Sequence, residues 1–247
     1  MDLKSQVDSK NIPEHIAVIM DGNGRWAQKQ GALRIFGHKS AIKAVREVTE
    51  GSAELGVKFL TLFAFSTENW SRPKKEVDGL MELLVNTIKS EMSTLTKNNV
   101  KLNTIGDTNS LPANCRANLL EAMEETKLNT GLTLTLALSY SGRWDIVEAA
   151  KKMAVEVKEN RLAPEDINSS LFDQFLNTGD MPDPELMIRT SGEKRISNFL
   201  LWQLAYTELF ITETLWPDFR KKDLYEAIID YQQRERRFGK VSEQVKA

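Results

Sequence analysis

The stretch HIAVIMDGNGRWA, residues 15–27, sets an acid, two glycines and an arginine directly behind an apolar run. A carboxylate at a strand end, here Asp21, can hold a divalent cation. Gly22 and Gly24 let the backbone turn sharply and bring N–H groups close to a ligand, an arrangement that suits phosphate oxygens. Arg25 adds a planar donor fork for the same oxygens. D-G and N-G are also ordinary turn dipeptides, so by itself the stretch reads equally well as a turn. It is neither a G-x-x-x-x-G-K-[ST] loop nor a G-x-G-x-x-G fingerprint. Arg34 and His38 follow closely, His38 at an expected helix start where it adds a donor beside the anion site.

Two further clusters share this character. In LFAFSTENWSRP, Ser66, Thr67, Glu68, Asn69, Trp70 and Arg72 stand behind apolar residues. Polar groups bunched at a strand end either meet a ligand or cap the next helix. In ELMIRTSGEKRISNFLLWQ, Arg189, Arg195 and Ser197 lie on a loop that leads into an apolar segment with helical spacing at 198–206. Two arginines and a hydroxyl near a helix start mark a second anion site. The expectation is two separable sites, one served by Arg25 and the other by Arg189 and Arg195. Glu208 opens the last apolar run, where it is either a rim carboxylate or a partner of Asp21 on a metal.

The elements that must position these groups can be read from the hydrophobic pattern. Short apolar runs occur at 15–20, 57–65, 99–105, 132–138, 185–189 and 208–212. Helical spacing covers about 38–55, 76–97, 112–128, 142–158, 165–176, 198–206 and 220–236. The alternation predicts a single α/β domain with a mostly parallel central sheet of about six strands flanked by helices. In such a sheet ligands sit beyond the carboxyl ends of the strands, where the polar clusters fall. The chain has 247 residues, 41% of them hydrophobic, enough for one substantial core. A net charge of −2 gives no general attraction to nucleic acid, and no nucleic-acid partner is expected. One cysteine excludes an intrachain disulfide and a cysteine-based zinc cluster. The polar start has no signal-peptide or anchor character, so a cytoplasmic protein is expected.

Taken together, HIAVIMDGNGRWA, GH at 37–38, TLFAFSTENWSRP, SGRWDI, DPELMIRTSGEKRISNFLLWQ, ELFIT, LWPDF and RERRFG resemble the cis-prenyltransferases, and most the bacterial undecaprenyl diphosphate synthase branch. The resemblance runs over residues 12–239, leaving 1–11 as a disordered arm and 240–247 as a loose tail. It implies a homodimeric, Mg²⁺-dependent transferase of isoprenoid biosynthesis that condenses isopentenyl diphosphate onto an allylic diphosphate such as farnesyl diphosphate. Each new double bond is Z, and the product is a lipid-carrier precursor for cell-wall polysaccharides. A transient contact with the membrane surface for product release is also implied.

Carried over by position, Asp21 and Glu208 look like the metal carboxylates. Gly22, Asn23, Gly24, Arg25, Trp26, Arg34 and His38 resemble the allylic-substrate cradle. Ser66, Thr67, Glu68, Trp70 and Arg72 match the second substrate stretch, with Asn69 in the place of the assigned proton acceptor. Arg189, Arg195, Ile196 and Ser197 resemble the isopentenyl diphosphate site, and Arg237-Phe238-Gly239 the motif that reaches across the dimer. Ser139, Ser141 and the Ser40-Ala41 pair depart from the commoner Asn, Gly and Gly. Segment 76–97 carries apolar residues beyond one stripe, which requires burial on two sides or a greasy cavity. An apolar product tunnel between it and KFLTLFAF is the expectation. A nucleotide-binding α/β enzyme and a non-catalytic partner subunit of a prenyltransferase are the alternative readings.

Overall fold

The computed structural model describes residues 3–236. Six strands form one all-parallel sheet: β1 (His15–Ile19), β2 (Phe59–Ser66), β3 (Lys101–Ile105), β4 (Thr133–Tyr140), β5 (Leu186–Arg189) and β6 (Glu208–Ile211), in the order β3-β4-β2-β1-β5-β6. Strands β1, β4 and β5 are buried almost throughout and read as continuous apolar runs, whereas the edge strands β3 and β6 are only partly buried and show as shorter, mixed runs. The helices are α1 (Asn23–Lys29), α2 (Arg34–Leu55), α3 (Lys74–Lys97), α4 (Ala113–Thr126), α5 (Gly142–Lys158), α6 (Ser169–Phe175) and α7 (Lys221–Gln232).

The two faces of the sheet carry different layers. On one, Leu60, Leu62, Phe65, Leu102 and Leu134 pack with residues of α2, α3, α4 and α7. On the other, Ala17, Ile19, Ala137, Tyr140 and Met187 pack with Phe199, Leu200 and Trp144. The second layer corrects the expected helix at 198–206, which is a series of turns. Ser197, Asn198 and Leu200 have positive φ of 48°, 60° and 44°, a conformation no right-handed helix contains. This chain folds close against the start of α5: a Cβ on Gly142 would come within 2.7 Å of Leu201 N. The arm expected to be loose is also laid on the domain. Leu3–Gln6 forms a 3₁₀ turn, and Gln232 of α7 bonds Asp8 and Asn11. The expected tail at 240–247 lies outside the described residues.

His15 locks the start of β1. It is fully buried; Nδ1 meets Pro182 O at 2.6 Å and Nε2 meets Thr61 Oγ1 at 2.7 Å. Burial lowers its pKa to about 4, against a smaller opposing pull from the Pro182 carbonyl and Glu185. An unfolded imidazole takes its proton near pH 6.5, so between about 6.5 and 4 the unfolded chain binds more protons than the folded one. Stability is therefore full above that window and falls as pH drops through it, by about 2 kcal/mol at pH 5 from this residue. Urea unfolding at pH 7 and pH 5 should show this loss, reduced in His15→Asn. An equal loss in both proteins would refute the assignment.

Candidate active site

The site is built at the carboxyl ends of β1, β2 and β5. The register pairs Ile19 with Arg189, so Asp21, two residues past Ile19, stands beside the end of β5. Thr190 closes the junction: its hydroxyl donates to Asp21 O (2.7 Å) and accepts from Asp21 N (2.9 Å). Asp21 Oδ1 accepts from Gly22 N at 2.7 Å, and Oδ2 accepts from Arg189 Nη2 at 3.0 Å, with Arg25 Nη2 at 3.5 Å. Partial burial pushes its pKa up, but the Arg189 bond, the Gly22 N–H and the two guanidinium charges together hold it below the ordinary carboxylate value. Asp21 is therefore ionised across the working range. Gly22 has φ 107°, and a Cβ there would stand 2.9 Å from Leu215 Cδ2, so the turn into α1 requires glycine.

The residues after Asp21 divide between the site and its scaffold. Arg25 Nη1 donates to Ser191 O at 3.0 Å and Nη2 to Ser191 Oγ, with Glu193 at 3.4 Å. Arg34 covers Gly24: a Cβ on that glycine would stand 3.2 Å from Arg34 Nε. The Trp26 indole donates to Asp218 (2.9 Å) and ties α1 to the turn Trp216–Asp218. His38 lies one turn inside α2, since that helix begins at Arg34. Burial, then the charge of Arg72, lowers its pKa to about 4, and it is neutral. Asn23 Nδ2 donates to its Nδ1 at 3.3 Å, which leaves the proton on Nε2. Asn23 Oδ1 is buried without a partner.

The stretch after β2 caps itself. Asn69 Oδ1 accepts from Ser66 N at 3.1 Å, and the Ser66 side chain accepts from the Asn69 backbone N–H. Thr67 Oγ1 donates to Ser141 Oγ (2.9 Å), and Trp70 Nε1 to Ser139 Oγ (2.9 Å). The two serines that depart from the commoner pattern thus hold this stretch in place, Ser139 with φ 49°. Glu68 Oε1 accepts from Asn198 Nδ2 at 2.7 Å, joining the stretch to the loop after β5. Arg72 bonds Glu76 at 3.1 Å, and Glu76 also faces Arg34 at 3.9 Å. Nothing in the sequence singled out Glu76; its signal was the i, i+4 spacing from Arg72.

The third cluster does not stand apart from the first. Arg189 is 3% exposed. It reaches Asp21 with Nη2 and, with Nη1, Ser197 Oγ (2.7 Å) and the Arg195 carbonyl, leaving Nε buried without a partner. Arg195 extends outward beside Glu193 (2.5 Å), and Ile196 packs into the core below. Glu208 is not brought to Asp21. Leu186 pairs both with Ile16 and with Glu208, so Glu208 lies at the opposite end of the sheet, about 16 Å of strand from Asp21. There it pairs with Arg234 at 2.9 Å. The two carboxylates of one chain therefore cannot share an ion. Arg237, Phe238 and Gly239 lie outside the described residues.

An apolar cavity of ≈ 260 Å³ opens beside these groups. Asn23, His38, Asn69 and Arg72 line it together with side chains of α2, α3 and the sheet, among them Leu62, Leu84 and Leu136. The two-sided apolar surface of α3 meets both surroundings: Leu80, Leu83 and Leu84 line the cavity, while Val85 is buried in the core. No described helix is long and apolar enough to cross a membrane.

Comparison with known proteins agrees with this arrangement. A family model described as putative undecaprenyl diphosphate synthase matches residues 19–239. The chain is 53% identical to the ditrans,polycis-undecaprenyl-diphosphate synthase ((2E,6E)-farnesyl-diphosphate specific) of Pasteurella multocida, over 96% of this chain and 99% of that one. It is 53% identical to an isoprenyl transferase of Chlorobaculum tepidum, over 95% and 89%. Among solved structures, lavandulyl diphosphate synthase from Lavandula x intermedia in complex with dimethylallyl diphosphate superposes with a TM-score of 0.91 at 37% identity, over 94% of this chain and all of that one. A probable undecaprenyl diphosphate synthase from Campylobacter jejuni superposes with a TM-score of 0.77 at 37% identity, over 93% and 100%. With an arginine-clamped acid at the strand ends, a greasy cavity beside it and these relatives along nearly its whole length, the chain belongs to the undecaprenyl diphosphate synthase family and is a cis-prenyltransferase.

Proposed function

We propose that the enzyme adds isopentenyl diphosphate units to farnesyl diphosphate and ends at undecaprenyl diphosphate. The observation that carries this reading is the junction of two unlike environments. A cluster of arginines around Asp21 meets the mouth of an apolar cavity walled by α2, α3 and the sheet. That junction suits a substrate with a diphosphate at one end and a hydrocarbon that lengthens at the other.

The allylic diphosphate is held by Arg25 and Arg34 with the backbone at Gly22 and Gly24, and by the Nε2–H of neutral His38. Arg195 and Ser197 hold isopentenyl diphosphate on the other side of Arg189. In the reaction the allylic C–O bond breaks, the isopentenyl double bond attacks the allylic carbon, and a proton leaves the adjacent carbon. Fixed donors stabilise the departing diphosphate, and two anchored diphosphates keep the reacting carbons close. Asn69 acts as an orienting donor through Nδ2, because its oxygen already accepts from Ser66 N–H. The departing proton is acidic enough for a diphosphate oxygen to take it.

The donor set fits Mg²⁺. The described residues contain no group of three or more ligands that could hold a metal ion, and the site offers the Asp21 carboxylate, ionised and 32% exposed. One carboxylate with substrate phosphates is how Mg²⁺ is commonly held. When bound, the ion neutralises developing charge on the leaving diphosphate. The active form is a homodimer, by resemblance to the family, and product leaves at the membrane surface.

Labelled isopentenyl diphosphate, farnesyl diphosphate and Mg²⁺ should yield long-chain polyprenyl diphosphate, and a chelator should stop it. The same assay tests the cavity's use. Alternation along β2 predicts Ala64 on the face of Leu60 and Leu62. Instead, a bulge between Phe63 and Phe65 passes that face to Phe65 and leaves Ala64 exposed to the cavity. Ala64→Leu should narrow the cavity near its mouth and shift the product toward shorter chains, with later additions suffering more than the first. An unchanged distribution from a stable Ala64→Leu enzyme would show that the chain does not pass this residue.

A further inference from the structure

We propose that the ion pair between Arg46 and Glu91 is a strap across the distal part of the cavity and limits the length of the prenyl chain. The inference rests on the functional reading above. Arg46 comes from α2 and Glu91 from α3, the two helices that close the cavity opposite the sheet, and both side chains line it. Arg46 Nε and Nη2 meet the two Glu91 oxygens at 3.0 and 2.5 Å, a bidentate fork. The Glu91 side chain is only 14% exposed, whereas Arg46 is half exposed, so the pair runs from the cavity wall to the surface.

Its position along the helices makes it distal. Glu76, bonded to Arg72, marks the end of α3 at the active site. Glu91 lies about four turns further on, about 22 Å along the helix. Among the described residues, the ion pairs that join α2 to α3 are Arg34–Glu76 at the site and Arg46–Glu91 further along, beyond which the lining runs on to Leu95, Asn98 and Val100. Of the other polar groups near the strap, Thr49 donates to Val45 O, Asn98 donates to Thr94 O, and Glu50 pairs with Lys221 of α7 at 3.1 Å. They do not cross the gap.

A chain that grows from the active site fills the apolar wall first and then meets this pair. To pass between α2 and α3 it must separate a carboxylate from its guanidinium and set hydrocarbon against a largely buried acid, which is unfavourable. Growth therefore stalls at the strap. With the pair broken, the helices are no longer tied at this level and the chain can extend.

The test is chain-length analysis of the full-length enzyme with labelled isopentenyl diphosphate, farnesyl diphosphate and Mg²⁺, each variant stopped after equal incorporation. Glu91→Gln and Arg46→Met should each lengthen the main product by one or more five-carbon units. Arg46→Glu combined with Glu91→Arg should return it to the parent length. Folded single variants with the parent distribution would overturn the strap. So would a charge-reversed double variant whose products stay as long as those of the singles, because packing would then be the cause. A parent enzyme that makes no polyprenyl diphosphate would sink the functional reading and the strap together, whereas parent product with no shift would sink the strap alone.

Discussion

Asp21→Ala is expected to lower turnover by several orders of magnitude while leaving a folded protein. The side chain stands at the end of β1, held ionised by Arg189, Gly22 N–H and Arg25. In the function proposed above it is the acid that would hold a cation on the leaving group. Stabilisation of developing charge is worth roughly 3–4 kcal/mol or more per key group. The fold should survive because the backbone at this position is fixed independently. Thr190 bonds both the N–H and the carbonyl of Asp21, and Trp216 N donates to the same carbonyl. Arg189 also keeps Ser197 and the Arg195 carbonyl. Asp21→Asn sharpens the test, since it keeps the size and one acceptor oxygen, enough for Gly22 N–H or Arg189 but not both, and removes the charge. It should fail nearly as badly. Turnover at saturating Mg²⁺, read beside a thermal midpoint, decides; near-normal turnover of a folded Asp21→Ala enzyme would remove the carboxylate from the chemistry.

Much of this arrangement was legible in the sequence, and its gaps have physical causes. The inner strands announce themselves as apolar runs because a parallel sheet is buried on both faces, while the partly buried edge strands β3 and β6 keep enough apolar residues to show as well. Helix α1 did not: in its seven residues, NGRWAQK, only Ala27 is buried, so no periodic stripe exists and the stretch reads as a turn. The opposite error occurred at 198–206, where FLLWQLA has helical spacing but three neighbouring left-handed residues deny it a helix. Ala64 illustrates a third kind of gap. A bulge changes which face a strand residue serves, and single-sequence alternation carries no sign of it. Glu208 shows the limit of motif position. The sequence places it on the last strand, but only the register shows that it enters at the edge opposite Asp21. The supporting residues Thr190, Ser191 and Glu76 were invisible for a simpler reason: their importance lies in contacts made with residues far along the chain or across to another helix.

The separation of the two anion sites is where structure changes the expected result most. Read from sequence, Arg189 and Arg195 form one site, and either substitution should weaken mainly isopentenyl diphosphate. In the folded protein the two arginines have unlike tasks. Arg195 is exposed and touches Glu193 on its own loop, so Arg195→Ala should lower apparent affinity for isopentenyl diphosphate about ten- to hundredfold, the loss of one charge-assisted bond. Arg25→Ala should do the same for the allylic substrate. Arg189 is buried between them and holds Asp21 with one nitrogen and Ser197 with the other. Removing it strips a half-buried carboxylate of its main partner and unties the loop that carries Arg195. Losing one partner of a fully buried pair costs about 3–5 kcal/mol; with Asp21 about a third exposed the loss here is smaller, yet more than that of a surface contact. Arg189→Ala should therefore damage both apparent affinities and turnover together, by more than either outer arginine does alone. Arg189→Lys should rescue little, because a single ammonium cannot span Asp21 and Ser197 as the guanidinium fork does. The measurement is apparent affinity for each substrate in turn, with unfolding checked by denaturant. If Arg189→Ala weakened isopentenyl diphosphate alone and left the allylic substrate at its parent affinity, the bond to Asp21 would have no functional weight and the two sites would be independent after all.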